Sequence, residues 1–315
     1  MKTHKIIAVT PAGRRSYMDL LKHYVLSDPD IEEWHLWDNC RDPEDRRYIE
    51  MLATSESRIR LIRIENPDGT NRSVNRFYRF CSDPRAFYIK MDDDLVYFRA
   101  GLASSLYEAA ARERDDAIWW SPLVINNAIC SWLLQKTGRL ITARGLTAQA
   151  GCPVGWLDPT FAVLLHRAFI EAQLGGTWLC VPDVRVASSR FSINCLGFFG
   201  EDVVRLKENF CPHDVDDEEW ISAVLPMREN KFGRIVGAAL TAHYSFFTQE
   251  AVLNRTDILD RYYDIAGLQR RYSKPAPRRP PIWGTLRRLV NAAKRRAVPL
   301  VGAGRLKSQH VRIQA

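Results

Sequence analysis

The chain is predicted to be an α/β protein built on a doubly wound, mostly parallel sheet. Over the first hundred residues, short β-branched or apolar runs alternate with segments of helical period. Polar, acidic and glycine residues gather where those runs end, which is where ligands collect in such sheets. The sharpest of these ends is Asp92, Asp93 and Asp94, set between the apolar runs 86–89 and 95–98.

Residues 5–10 (KIIAVT) read as the first strand, leaving through Pro11, Ala12, Gly13, Arg14 and Arg15. Ser16 opens a helical segment with Tyr17, Leu20, Leu21 and Tyr24 on one face. Residues 33–36 form a second strand ending at Trp37, Asp38 and Asn39, and a polar helix covers 43–52. Residues 58–64 (RIRLIRI) alternate as a third strand, 77–81 close another helical stretch, and 87–91 deliver the aspartates. A helix over 102–112 leads to a strand at 118–120 and a turn at Ser121 and Pro122. From 123 to 190 the period is mixed, with turn signals at Gly151 to Pro153, Gly155, Asp158, Pro159, Gly175 and Gly176.

Composition narrows the class. With 315 residues, 46% hydrophobic and 26% charged, the chain has material for a large globular core. No run reaches the roughly 20 apolar residues of a spanning helix, and the first residues are too brief for a secretory signal, so the body is expected in the cytoplasm. Seven cysteines, an odd number without close pairs, fit a reducing compartment and buried thiols.

Charge is segregated. Of 45 Lys and Arg, 13 lie in residues 265–315, which hold no Asp or Glu, leaving 32 basic against 37 acidic upstream. Pro275, Pro277, Pro280 and Pro281 make a stiff spacer, after which Ile282, Trp283, Leu286, Leu289, Val290, Ala293 and Ala297 recur at helical intervals. Arg287, Arg288, Lys294 and Arg295 fall opposite them, the pattern of a helix lying on an anionic membrane surface. The plainer alternatives are a basic helix docked on the body or a disordered end. Tyr272 and Trp283 are the tail's only aromatics, and its apolar face is clean, so no nucleic acid is expected.

Three adjacent carboxylates at a strand end repel one another and resist desolvation unless a cation compensates, and a divalent metal carrying a polyphosphate does so economically. A solvated acidic turn is the bland alternative. Downstream, Asp216, Asp217, Glu218 and Glu219 open a helix, where acids also suit the macrodipole. Gly200, Glu201 and Asp202 offer a competing acidic pair, and spacing does not rank the two. His243 stands alone in an apolar stretch, a setting more usual for a core histidine than for a ligand.

The run Ile89, Lys90, Met91, Asp92, Asp93, Asp94, Leu95, Val96, Tyr97 resembles the DxD signature of GT-A glycosyltransferases, and the organisation of residues 5–250 is similar. The resemblance implies a GT-A-like fold with a donor-binding half at 1–100 and an acceptor-facing half at 101–264, followed by the tail at 265–315. It implies Asp94 as a ligand of Mn2+ or Mg2+, Asp92 on the ribose of a nucleotide diphosphate sugar, Asp93 and Lys90 nearby, and His243 as a late metal ligand. A carboxylate at the start of the acidic helix, Asp217 with Glu218 next, would be the base of an inverting transfer. Thr10, Pro11, Gly13, Arg14 and Arg15 would form the pyrimidine and diphosphate edge, with Asp38 toward base or ribose. The implied activity is transfer of a sugar, uridine diphosphate being the commonest carrier, to a glycan or lipid-linked glycan hydroxyl at the inner face of the membrane. A nucleotidyltransferase shares the sheet and metal-binding aspartates, and a non-enzymatic basic adaptor for membrane or nucleic acid is the rival outside catalysis.

Overall fold

A computed structural model describes residues 3–140, 145–187, 189–270 and 272, so the proline spacer and the expected amphipathic helix of the tail lie outside the described residues. The strands are β1 (Lys5–Ala12), β2 (Ile31–Asp38), β3 (Ile59–Ile62), β4 (Ala86–Met91), β5 (Leu95–Phe98), β6 (Ala117–Ile125), β7 (Val184–Val186), β8 (Cys195–Phe199) and β9 (Phe232–His243). They form one sheet in the order β3-β2-β1-β4-β8-β6-β9-β5, with β7 alongside β9. Strands β1 to β4, β6 and β9 point one way, and β5, β7 and β8 run against them. The expected α/β fold with a mostly parallel sheet is present.

The helices Arg15–Ser27 and Pro43–Ser55 are the crossovers between the first three strands. Asp42 caps the second of these through the Glu44 N–H, and Pro43 begins it, where its missing donor is harmless. Every residue of β4 is buried between β1 and β8, which is why its sequence is apolar throughout except Lys90. Behind it Phe87 packs edge-on against Phe199 and Trp120, and Tyr88 stacks on Phe198.

One expectation is corrected. Ser121 and Pro122 do not turn; β6 continues through them to Ile125. The ladder to β9 shifts register between Pro122 and Leu123, and a bulge is where a strand tolerates a residue without an N–H. The stretch 123–190, unreadable by period, contains the helices Ala128–Lys136 and Pro159–Leu174, capped by Asn127 and Asp158.

The connection from β4 to β5 shapes the whole molecule. In the sheet these strands are four neighbours apart, about 19 Å in a flat sheet, yet Met91 and Leu95 are joined by four links that extend at most about 14 Å. The sheet must therefore curl until its β5 edge returns over the end of β4. Pairing of Leu95 with His243 on β9 fixes that closure. Among the described residues no helix is long and apolar enough to cross a membrane.

Candidate functional site

Closure of the sheet brings the turn at Asp92 to Asp94 against the end of β9. One ligand atom each from Asp92, Asp94 and His243 lie within 4.8 Å of one another. The Tyr244 N–H donates to the Asp94 carbonyl at 2.9 Å, tying the turn to β9. The Asp94 side chain is completely buried, with Oδ1 2.9 Å from Arg14 Nη2 and Oδ2 3.3 Å from His243 Nε2. Neither oxygen accepts a well-directed hydrogen bond. Its charge is met by Arg14 and His243 without well-directed hydrogen bonds, and two carboxylates with an imidazole suit Mn2+ or Mg2+. The donor set therefore fits a divalent cation.

Electrostatics divides the three aspartates. Burial pushes the Asp94 carboxyl up, but Arg14 and His243 outweigh it and hold the group well below the carboxylate range. Asp93 is raised to about 6 by burial, against the pull of Arg14. His243 is lowered by burial and raised by Asp94, which prevails. Asp92 is the most open, with Lys90 Nζ against Oδ1 and Asn194 Nδ2 donating to Oδ2 at 3.2 Å.

The first strand exit meets this turn directly. Gly13 N–H donates to Asp93 Oδ2 at 2.9 Å, and Arg14 Nε donates to Oδ1 at 2.8 Å, with Nη2 on the same oxygen. A Cβ at position 13 would meet Asn39 O at 3.5 Å and Asp93 Oδ2 at 3.7 Å, so the glycine here is not compelled by crowding. Arg15 is separated from Arg14. Its guanidinium lies between the rings of Tyr48 (4.8 Å) and Tyr272 (4.3 Å), and its N–H donates to Asp45 at 3.0 Å. Thr10 is buried with its hydroxyl accepting from Trp34 Nε1 at 3.0 Å, and Pro11 is inside β1 opposite Trp37.

Asp38 sits beside Ala12 in register, at the exit of β2. Arg46 Nε and Arg63 Nε lie 3.2 and 3.4 Å from its two oxygens. Together with Glu50, Ile64 and Pro67 these residues line an open cleft of about 380 Å³.

Lys90, expected among the donor-binding residues, is the next-to-last residue of β4. It is buried, holds Asp92, and donates to the Ile193 carbonyl at 2.9 Å. Burial lowers its proton affinity, but Asp92 and Asp217 raise it further, so it stays charged. Asp217 begins the acidic helix, capped by Asp216 through the Glu219 N–H at 2.9 Å. Its carboxyl is pushed up to about 6 by burial, opposed by Lys90. Glu218 is instead paired with Arg190, whose Nε is 2.7 Å away and whose Nη2 also reaches Asp216. The helix then passes through a π-helical segment, Trp220–Val224, just before Pro226, a distortion common near functional sites.

Topology separates the competing acidic pair from this region. Strand β8 is antiparallel to β4, so Phe199 lies opposite Phe87 and the chain leaves at the start of β4, about 20 Å from the aspartate turn. There Asp202 lies 2.6 Å from Arg114 and 3.0 Å from Arg205, and Glu201 lies 2.9 Å from Arg114. Gly200 is a packing requirement, since a Cβ would fall 2.0 Å from the Asp83 carbonyl oxygen.

Sequence reasoning passed over four asparagines. Asn194 orients Asp92 and accepts from Asn127 Nδ2 at 3.2 Å, while Asn127 Oδ1 caps the helix Ala128–Lys136. Asn126, at φ 63°, donates to the Tyr244 carbonyl at 3.1 Å, and its own carbonyl lies 3.4 Å from His243 Nδ1. Asn75 donates to the carbonyls of Pro212 and Val215, placing the loop that leads to Asp217. The pair Asn126 and Asn127, ending nine buried residues of β6, was a polar strand exit of the kind that marked the other three.

No family model matches this sequence, and no curated protein matches it. Similar solved structures include a mannosyltransferase, PcManGT, from Pyrobaculum calidifontis in complex with GDP-Man and Mn2+, at 14% identity over 94% of this chain and 76% of that one, TM-score 0.47. GalNAc-T7 with UDP, GalNAc and Mn2+ matches at 11% identity over 84% of this chain and 55% of that one, TM-score 0.46. The inositol-1-phosphate CTP transferase from T. maritima matches at 10% identity over 85% and 98%, TM-score 0.44. Glycosyltransferases of the expected fold type and a nucleotidyltransferase thus stand side by side. At these identities and TM-scores the likenesses carry no argument about the reaction.

Proposed function

We propose that the protein is a metal-dependent glycosyltransferase moving a sugar from a nucleoside diphosphate to a hydroxyl of a glycan or lipid-linked glycan. The supporting observation is the meeting of Asp92, Asp94 and His243 within 4.8 Å, with both Asp94 oxygens buried and lacking directed hydrogen bonds. Bound Mn2+ or Mg2+ would stabilise the charge developing on the departing diphosphate. Asp94 and His243 would hold it at the curled edge of the sheet, and Asp92, expected from the resemblance on the ribose, would join them from the open side.

The remaining work falls to side chains. Arg14, 40% exposed at the rim, is within reach of an incoming phosphate. The cleft of Asp38, Arg46, Arg63, Ile64 and Pro67 would take the nucleobase or ribose. Asp217 would accept the acceptor's proton as the hydroxyl attacks the anomeric carbon, giving inversion; its raised proton affinity suits a base near neutral pH. Glu218, neutralised by Arg190, ranks second. In this reading residues 1–100 bind the donor, and 101–264 face the acceptor.

The test is a panel of nucleotide sugars incubated with Mn2+, with products resolved. Release of free nucleoside diphosphate, lost on adding chelator and in Asp94→Ala, is expected. Pyrophosphate release from a nucleoside triphosphate would instead establish the nucleotidyltransferase reading. The tail, with 13 cations and no acids, is proposed to hold the enzyme on an anionic membrane at the cytoplasmic face. Removing residues 275–315 should abolish co-sedimentation with anionic vesicles while sparing turnover of a soluble acceptor; unchanged co-sedimentation would refute the anchor.

A further inference from the structure

Arg14 does more than line the diphosphate edge: it lies on two of the three aspartates of the turn, Asp94 of the cation site and its neighbour Asp93. Its Nε is 2.8 Å from Asp93 Oδ1, Nη2 reaches the same oxygen, and Nη2 is also 2.9 Å from Asp94 Oδ1. Asp94 Oδ2 faces His243 Nε2 at 3.3 Å. One guanidinium therefore neutralises the carboxylate that sits deepest in the proposed metal site, on the side that His243 leaves open.

A monovalent cation at that distance and a divalent ion on the same carboxylate repel each other strongly. Arg14 keeps an open side: its side chain is 40% exposed, and the Tyr17 ring lies 5.5 Å from the guanidinium. Phosphate oxygens are the other natural bidentate partner for a guanidinium.

We propose that Arg14 is an exchange residue: in the ligand-free protein it neutralises Asp94 from Oδ1, and an incoming diphosphate draws it away and frees that charge for the metal, so that metal and nucleotide bind as a unit. This rests on the glycosyltransferase reading of the site and adds to it an order of events. Asp93 is the hinge partner, since the Gly13 N–H keeps it in place at 2.9 Å while the guanidinium leaves. Coupling of this kind is reciprocal, so metal strengthens nucleotide binding by the factor with which nucleotide strengthens metal binding. The functional consequence is that free metal does not fill the site and seal it against the donor.

The experiment follows free Mn2+ by electron paramagnetic resonance on the full chain, alone and with each of UDP, GDP, CDP, ADP and dTDP, together with Arg14→Gln and Arg14→Lys. Wild type should bind Mn2+ alone weakly, and at least tenfold more tightly with the cognate nucleotide. Arg14→Gln should bind Mn2+ alone about tenfold more tightly than wild type, with the gain from nucleotide reduced. Arg14→Lys, which keeps the charge, should stay near wild type with metal alone. Asp94→Ala placed on Arg14→Gln should erase the gain.

If Arg14→Gln gains no affinity for Mn2+ while wild type still binds the metal with a nucleotide, the exchange is refuted and the site assignment stands. If no protein binds Mn2+ under any condition, both fall. Should Arg14→Gln fail to fold, the wild-type Arg14 Nε–Hε resonance, assigned by its loss in Arg14→Lys, gives the answer. Movement with cognate nucleotide and Mg2+, but not with Mg2+ alone, supports the exchange, and no movement overturns it.

Discussion

Asp94→Asn is expected to lower metal-dependent turnover on the order of a thousandfold while leaving the fold intact. The two side chains have nearly the same volume, and the backbone bond from the Tyr244 N–H to the Asp94 carbonyl does not involve the side chain. What changes is charge. Asp94 is fully buried and ionised beside Arg14 and His243, with both oxygens lacking directed hydrogen bonds, and an amide presents only one acceptor and no net charge to a divalent ion. Electron paramagnetic resonance with the cognate nucleotide should find Mn2+ largely free in this variant, with the fold retained but melting lowered at neutral pH, because the buried pairs of the carboxylate with Arg14 and His243 are lost. Retention of turnover within tenfold, with Mn2+ still bound, would remove Asp94 from the metal site.

Asp217→Asn is expected to abolish transfer and, at neutral pH, to make the protein more stable. Burial raises this carboxyl from 3.8 to about 6, so the folded state binds its proton more tightly than the unfolded state does. With more protons bound to the folded state, stability falls as pH rises between about 4 and 6, and the penalty is complete above that window. At pH 7 it is on the order of 2–3 kcal/mol, less a few tenths for the favourable charge at the helix start. The amide variant lacks the penalty. Melting curves at pH 4 and pH 7 should show the two proteins close together at the lower pH and the variant higher at the upper one. A group kept at a stability cost fits use as a base, and the acid limb of turnover in wild type should fall near pH 6. If Glu218→Gln removed turnover and Asp217→Asn did not, the base would be reassigned.

Much of this was legible because it is local. The alternation of apolar runs with helical period gave the parallel first half, and Leu102–Arg112 emerged as a helix within the bounds read from sequence. The acid turn between two apolar runs was conspicuous for its energetic cost. Pro122 was misread because a turn signal assumes the missing N–H is fatal to a strand, whereas the shifted ladder between β6 and β9 accommodates it. Arg14 and Arg15 were indistinguishable as neighbours in sequence; backbone direction sent one to the aspartates and the other between Tyr48 and Tyr272.

The sequence by itself determined which residues are expensive to bury: three aspartates, a lysine near the end of β4 and a histidine at the end of β9. It determined the strands that carry them too, since apolar pattern and local period are properties of neighbours along the chain. Only the tertiary structure decided which of those residues meet. Leu95 pairing with His243 closes the sheet over its own middle strand, joining residues about 150 positions apart, and the antiparallel sense of β8 carries Glu201 and Asp202 to the opposite end of the strands. Register and strand direction are set by packing across the sheet, a long-range balance that no local pattern encodes.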